Sequence, residues 1–545
     1  MAENIRTKTS DGINVSMVLD NYNQAMSRKK ESDGLRQEAG LYAWPSAWRQ
    51  TRTSEQSEGE QNNIRLYDST ALMAAYTMTS GIFSYLMPVG AFWFGFTSQE
   101  PELNEEPSML EWMSTASSLT HKELWRSNFQ REMFKTIRSM VVFGTGVISV
   151  EKDGEDIVFK SHHIGYMAFD DNEKGEVDTV YRQIFYTTRQ AIQKFGKENL
   201  GKSVQKAIEA GKMNEKFEFV HVAAPNNDFD KTKIGSKSKK IKSLYISIKD
   251  KKVVKESGFD DMPYLIARFS VVPGEIMGRG PAMEILPEIK MLNRMKRTFI
   301  ESSEKAVNPP LMMEDDGVVG QPVTGPNGII YIRNGAQFPQ ALDTGTNVAL
   351  NAEIIREQQV IVKEGFFNNR FQSLADHRNM TAFEAGIRKE DDLTIISPAV
   401  TSLQNETLDP LLGRVLKLLI QMKRIPQPPQ SFDFDVAYQG RLALAMASVQ
   451  ANAMEATLAK WAPYAQMSPV FENVDWDGSF RESWLASGAP ADKLVDFEEM
   501  TAKRAGVEQM QMAQAQAEIA DTGSKAFRNV NQAVEQGSPA EALLG

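Results

Sequence analysis

The chain has 545 residues, room for roughly three or four structural units, and 41% of them are hydrophobic, so a sizeable core can be buried. It holds no cysteine, which excludes disulfides and thiolate metal sites, and its formal charge of −10 argues against a surface that grips nucleic acid over most of its area. The opening residues, MAENIRTKTSDG, lack the apolar run of a secretion signal.

In chain order, the first predicted element is a helix over Asn14–Lys30, followed by a polar loop holding Trp44-Pro45 and Trp48. From Ser69 to Gln99 no residue is charged, which is long enough to span a bilayer. Thr70, Thr77, Thr79, Ser80 and Ser84 dilute that stretch, Pro88-Val-Gly90 breaks it, and no basic cluster follows. The expectation is therefore a buried helix up to Met87 and a core strand around Phe92–Phe96, with no membrane insertion. Helices over Met109–Leu119 and Trp125–Met140 come next. From Val141 to Val272 the pattern changes to short β-type runs such as DIVFKSHHIGYMAFD, TVYRQIFYTT, FEFVHVAAP and SLYISIKDKKVVKE. Turn signals at Asp153-Gly154, Lys174-Gly175 and Gly258 separate them, predicting an antiparallel, meander-like unit.

The segment PGEIMGRGPAMEILPEIKMLNRMKRTFIESSEKAVNPPLMM opens with a Gly/Pro turn and becomes a helix of about 22 residues, roughly 33 Å long. Ile285, Ile289, Leu292, Met295 and Phe299 form its apolar stripe, and Asn308-Pro309-Pro310 ends it. Lys290, Arg294, Lys296 and Arg297 alternate on it with Glu284, Glu288, Glu301 and Glu304. That mixture suits pairs at i, i+3 and i+4 on a solvated face, or pairing between helices of neighbouring subunits. A small β segment follows, with Pro326-Asn327-Gly328 as turn and GIIYIR as strand. A second helix is predicted from Asn347 to Phe367, a polar loop over Asn368–Asn379, and a third, longer helix from Met380-Thr381 with a break at Ser397-Pro398. Helices at Leu442–Trp461 and Phe480–Ala486, and an Ala/Gln/Met-rich helical tail from Glu498 to Gln536, complete the chain.

Several motifs invite chemistry. Gly196-Lys-Glu-Asn-Leu-Gly201-Lys202-Ser203 matches the phosphate-loop pattern literally, but a true phosphate loop follows a buried strand. Here TTRQAIQKFG precedes it and reads as helix, and no long apolar strand ending in Asp follows to hold magnesium. The match is expected to be inert. His162-His163 sits in a β segment where neighbouring side chains point to opposite faces, so the two cannot easily share a metal. Lys231, Lys233, Lys237, Lys239, Lys240 and Lys242 read as a solvated loop between strands, with a DNA or capsid contact as the alternative. No Ser/His/Asp or paired-carboxylate constellation stands out. The expectation is a protein that is not an enzyme and has no cofactor and no metal site.

Two stretches together resemble the head-to-tail connector (portal) family of short-tailed bacteriophages: GRGPAMEILPEIKMLNRMKRTFIESSEKAVNPPLMM with its following GPNGIIYI turn, and RNMTAFEAGIRKEDDLTIISPAVTSLQNETLDPLLGRVLKLL. The WFGF after Pro88 and the VVFGTGVISVE run are also similar to that family, so the resemblance spans roughly residues 65–425 and is weakest beyond about 440. It implies an α+β subunit of a twelvefold ring in the virion, at the portal vertex of the capsid, assembled in the host cytoplasm. Carried onto this chain, residues 1–272 are the wing, 273–305 the first stem helix, 306–346 the clip and 347–367 the second stem helix. Residues 368–379 are the channel loop, 380–425 the kinked wing helix, 426–497 the crown and 498–545 a helical tail. The same resemblance implies that Arg370, Asp376, His377 and Arg378 face duplex DNA passing through the channel. It implies as partners the packaging ATPase, a major capsid or scaffolding protein and tail adaptor proteins. Helices packed side by side lie about 8–10 Å apart, so twelve leave a bore of roughly 22–28 Å, enough for a DNA duplex. Twelve copies at −10 each carry −120, which keeps phosphates from sticking. The alternative reading is another structural head or tail adaptor of a phage virion.

Overall fold

The computed structural model describes residues 14–47, 66–369, 396–430 and 433–438, apart from 227–228, 230–237, 343–347 and a few single positions. Beyond 440 it describes chiefly 475–486, with scattered positions up to 525. Residues 1–443 form one compact unit and 444–545 another.

Helix α1 (Val15–Ala43) starts where the Asn14 side chain accepts a bond from the Met17 amide at 3.3 Å. It continues past Lys30, the predicted end, because paired charges take over its buried face. Lys29 donates to the Gly165 carbonyl at 2.9 Å, and Asp33 lies 3.4 Å from Lys29 and 3.3 Å from Arg36. Burial pulls the Lys29 ammonium down to about 8, with Asp33 opposing. Apolar periodicity cannot register a buried face built of charges. Trp44 and Pro45, predicted in a loop, instead close the helix and lead into a single 3-10 turn (Pro45–Ala47); Trp48 lies outside the described residues.

The uncharged stretch folds as predicted, into α2 (Thr70–Leu86) and β1 (Phe94–Ser98), and the latter pairs antiparallel with β12 (Phe434–Tyr438), Phe94 opposite Tyr438. Among the described residues no helix is long and apolar enough to cross a membrane. The predicted helix over Trp125–Met140 is divided: α3 (Pro107–Arg126) ends and α4 (Phe129–Phe143) begins at Ser127-Asn128. The cause is Asn128, whose amide reaches sideways to the Phe159 carbonyl at 2.8 Å and amide at 3.0 Å, holding the chain out of the helix.

The β-rich region is antiparallel as expected, but it makes two sheets. β2 (Thr145–Asp153), β3 (Asp156–His162) and β9 (Tyr264–Arg268) form one in the order β3-β2-β9. β4 (Met167–Asp171), β5 (Val177–Thr187), β6 (Lys216–Pro225), β7 (Ile241–Ser247) and β8 (Lys252–Phe259) form a five-stranded meander. Gly154 and Gly175 turn the chain with positive φ, as their motifs predict. Gly258 does not: it lies inside β8 opposite Lys242, and the turn signal was a strand glycine. The run SLYISIKDKKVVKE instead turns at Lys251 and yields both β7 and β8. A buried polar seam joins the sheets, since His221 of β6 bonds the Tyr264 hydroxyl of β9 at 2.5 Å and Ser243 of β7 at 2.8 Å.

A short helix α7 (Pro281–Glu284) leads into α8 (Leu286–Val307), 22 residues capped at Asn308. A two-residue strand pair, β10 (Leu311–Met312) with β11 (Gln340–Ala341), separates it from α9 (Val348–Gly365). GIIYIR, predicted as a strand, forms only an isolated bridge between Ile332 and Val318. Among the described residues its β-type side chains have no partner strand. The next helix among the described residues is α10 (Ser397–Leu403), with Pro398 in its first turn, then a π-helical turn over Gln404–Leu408 and α11 (Asp409–Gln421). The π turn has a cause in the sequence. Pro410 has no N–H for the Glu406 carbonyl and its ring crowds that carbonyl, so the helix widens there.

In the second unit the helix Trp476–Ala486 contains the predicted Phe480–Ala486 element, and Arg504 donates to Asp477 at 2.8 Å. Most of Leu442–Trp461 and of the predicted tail helix lies outside the described residues.

Candidate functional site: a helix pair and its uncovered strap

The helix pair α8/α9 is built to be rigid at one end and exposed at the other. At its base Leu286, Ile289, Leu292 and Asn293 of α8, Ile355, Gln358 and Val362 of α9, and Phe366 just after α9 are buried. A Cβ on Gly365 would lie 2.6 Å from Ile285, and Gln358 donates to Glu288 at 2.6 Å, so the helices run antiparallel in close contact. The Asn293 side-chain oxygen accepts the Tyr67 amide at 2.8 Å, and Gln359 donates to Asp68 at 2.9 Å, tying the pair to the segment that opens α2. Arg297 and Glu301 pair at 2.8 Å one turn apart, as predicted, while Lys290 reaches Glu38 of α1 at 3.0 Å.

Beyond that base the core ends. Between Arg294 and Leu342, Gly317 is the only buried residue among those described. Val307 is 86% exposed and Phe338 79%, with Ile329 and Tyr331 both at 66%; Val319 and Val323 are also exposed. A segment this rich in uncovered apolar side chains cannot offset the entropy of its own ordering by contacts within one chain.

The π turn after α10 is anchored by Arg268 at the end of β9, whose guanidinium donates to the Glu406 carboxylate at 3.0 and 3.1 Å and to the Ile276 carbonyl at 3.2 Å. Ser402 donates to the Arg268 carbonyl at 2.8 Å. Further along, Arg414 of α11 donates to the carbonyls of Val150 at 2.9 Å and Asp261 at 2.8 Å. The helix behind the predicted loop is thus bolted to the three-stranded sheet. These anchors were missed in the sequence because the partners are far apart in the chain; only Pro410 pointed to the turn itself.

Arg370, Asp376, His377 and Arg378 all lie outside the described residues. The flanks of their loop are described and buried: Phe366 and Asn368 on one side, Ile396 and Val400 on the other. The phosphate-loop lookalike is placed as expected. It follows a helix, α5 (Thr188–Phe195), and its Lys202-Ser203 opens α6 (Lys202–Glu209). The amide and hydroxyl of Ser203 donate to Asp250 at 3.0 and 2.6 Å, and a Cβ on Gly201 would lie 2.0 Å from the same carboxylate. A carboxylate of the chain itself already takes the place an incoming phosphate would need. Lys202→Ala is expected to leave nucleotide retention on a filter-binding assay at background and self-assembly unchanged; an ATP-binding signal lost on that substitution would contradict this.

The two histidines diverge as predicted. His162 meets the Ser149 hydroxyl at 2.8 Å, whereas His163 contacts the Ala47 carbonyl at 2.9 Å and accepts the Gly165 amide. Among the described residues no group of His, Asp and Glu has the arrangement to hold a metal. Of the lysine run, Lys239 pairs with Asp260 at 2.8 Å and Lys242 with Glu256 at 3.7 Å; Lys231, Lys233 and Lys237 lie outside the described residues.

Comparison with known proteins supplies the frame for these features. The chain is 26% identical over 494 residues to the portal protein of Salmonella phage epsilon15, covering 87% of this chain and 89% of that one. It is 25% identical over 461 residues to a protein of Bordetella phage BPP-1 named "Probable portal protein", covering 80% of this chain and 82% of the other. The family model for bacteriophage head to tail connecting proteins matches residues 16–495, nearly the whole chain and all of the helix pair with its strap. A match of that extent places the chain in the family of bacteriophage head-to-tail connecting proteins, to which it belongs.

Proposed function

We propose that the chain works as one subunit of a closed twelve-membered ring at a capsid vertex, through which duplex DNA is packaged, retained and ejected. The observation that carries this is the strap between Arg294 and Leu342, which has almost no buried residue of its own and an array of exposed large apolar side chains. Identical straps side by side in a ring give each a neighbour on both flanks, and a contact between two different faces closes under rotation. In this reading residues 1–272 are the wing, α8 and α9 the stem, 306–346 the clip, 380–425 the kinked helix and 426–497 the crown. The clip receives the packaging ATPase and later a tail adaptor, and the wing meets the capsid or scaffolding protein. The chain is a structural component; force for packaging comes from the partner ATPase.

Electron microscopy of the purified full-length chain at micromolar concentration tests the ring directly. Closed rings are expected, and a monodisperse 61 kDa monomer would refute the reading. The channel loop is tested in the same particles. Arg370, His377 and Arg378, offset by Asp376, would form rings that touch phosphates at the narrowest point while the acidic remainder repels them. Arg378→Glu is expected to permit ring assembly and to reduce packaged DNA length or retention. Full-length genomes stably held in both Arg378→Glu and Arg370→Glu particles would show that this loop does not meet DNA.

A further inference from the structure

One surface outside the stem and strap carries a cation that nothing in the described unit neutralises. On the outer face of α2, Met73 is 58% exposed and Tyr76 47% exposed. Phe134 of α4 packs beside them, its ring 5.4 Å from that of Tyr76 and 5.9 Å from that of Phe83. One helical turn further along α4, the guanidinium of Arg138 lies 4.5 Å from the Trp44 ring centre and 5.7 Å from that of Tyr76. Its Nε is buried and has no acceptor. Other buried or half-buried arginines of this unit each meet at least one acceptor: Arg36 meets Asp33, although its Nε too has no partner, Arg268 meets Glu406, Arg424 meets Glu123 and Arg414 meets two carbonyls. Among the described residues Arg138 meets two aromatic faces and no carboxylate, and burial lowers its pKa from the ordinary arginine value.

A buried guanidinium donor left unmatched is costly, and aromatic walls strengthen the pull on a planar cation without supplying an acceptor for its N–H groups. Tyrosine, tryptophan and arginine clustered at a half-exposed patch are also the composition of interface anchors. We infer that the patch formed by Trp44, Tyr76, Phe134 and Arg138 docks on the neighbouring copy of this chain in the ring, with Arg138 donating to a carboxylate of that copy. Three considerations select a second copy. A rotationally closed ring needs each subunit to offer two different, complementary faces. The chain has 71 acidic against 61 basic residues, so an exposed carboxylate is the commonest complement it can present. And α2 packs directly on α9, one of the two helices that the ring reading assigns to the channel wall. The inference rests on the ring reading and adds the surface and the ion pair through which neighbours meet.

The absence of cysteine allows a clean test. Met73→Cys in the full-length chain, labelled with benzophenone maleimide, is assembled from a mixture of isotopically heavy and light chains and irradiated. Cross-links joining heavy to light peptides, with the acceptor peptide containing Asp or Glu, are the expected result. In parallel, Arg138→Glu is expected to reduce ring yield at least tenfold at equal concentration, while Arg138→Lys retains part of it. The cross-link reads the native Arg138 and so does not depend on the folding of the charge-reversed variant. Rings that form with cross-links confined to the same chain, including to residues 48–65, or to DNA, would overturn this inference and leave the ring standing. Arg138→Glu rings in wild-type yield would do the same. A parent chain that never forms rings would overturn both.

Discussion

Gly144→Ala is expected to leave little or no soluble, folded protein. Gly144 ends α4 in the left-handed region at φ 78°, its amide bonded to the Met140 carbonyl at 2.9 Å. A Cβ there would lie 2.1 Å from the Gly278 carbonyl oxygen, and one on Gly280 would lie 2.5 Å from the Val141 carbonyl oxygen. The Gly278-Arg279-Gly280 turn that launches α7 and α8 is therefore pressed against the end of α4, backbone to backbone. Thr145 Oγ1 accepts the Gly278 amide at 2.9 Å and the Gly144 carbonyl accepts the Phe269 amide at 3.0 Å, so neither strand can withdraw freely. Left-handed strain alone costs about 1–2 kcal/mol, and displacing a bonded backbone in the core brings the total to roughly 4 kcal/mol or more. Gly154→Ala is the control, because Gly154 also has positive φ but open space around it. It should cost only about 1–2 kcal/mol. Soluble yield and urea midpoints of the two variants make the comparison, and a Gly144→Ala protein as stable as Gly154→Ala would remove the close approach from the account.

The second large effect is a loss of stability in mild acid. His121, His162 and His221 are buried and held neutral. Burial is the leading cause for each; Arg182 adds repulsion at His162 and His221, joined by Lys160 and Lys194 at His162 and by Lys194 and Lys255 at His221. His121 falls to about 4, and the other two lie well below the ordinary histidine value. The unfolded chain takes up these protons near 6.5, so between there and the depressed folded values the unfolded state binds more protons. Stability is thus fully present above pH 6.5 and lost as pH falls below it, by about 1.4 kcal/mol per pH unit for each group. Urea midpoints measured from pH 7.5 to 5 should fall steeply. His221→Gln, which cannot charge, should start lower at pH 7.5 and lose about a third of the slope. Equal slopes in parent and variant would show that the seam between the two sheets does not titrate.

Much of this was legible in the sequence where a local rule sufficed. The helix pair was readable because Ile289 and Leu292 recur at helical spacing and Asn308-Pro309-Pro310 stops the first helix. The hairpin turns at Gly154 and Gly175 were readable because those positions demand positive φ. What escaped depends on contacts between distant residues or on faces the chain leaves uncovered. The outer half of α1 hides paired charges, which look like surface in one dimension. The split at Ser127-Asn128 depends on a side chain reaching a strand 31 residues away. GIIYIR has strand composition yet Ile329 and Tyr331 are exposed, so its alternation points at a surface that the described residues do not cover. At the candidate site, Arg370, Asp376, His377 and Arg378 came from the family resemblance and lie outside the described residues, while the Arg268–Glu406 clamp and the orphaned Arg138 are properties of three-dimensional packing alone.

The pairing of β1 with β12 bears on how the chain is made. Phe94–Ser98 waits for Phe434–Tyr438, and about three-quarters of the first compact unit lies between them. Synthesis runs from the N-terminus, so the aromatic strand emerges long before its partner and stays open at one edge meanwhile, the kind of unpaired edge that aggregates. Its own flanks limit that exposure: the Phe96 amide donates to Ser117 at 2.9 Å, and the Phe94 carbonyl meets His121 at 3.0 Å, both on α3. Closing a loop this long costs only slowly increasing entropy, but it cannot happen before translation has passed residue 438. A polypeptide interrupted earlier lacks the strand that completes the sheet, and one interrupted before residue 409 also lacks α11, whose Arg414 clamps β2. The fold therefore inspects its own length, and only a chain translated past that point can complete the first compact unit.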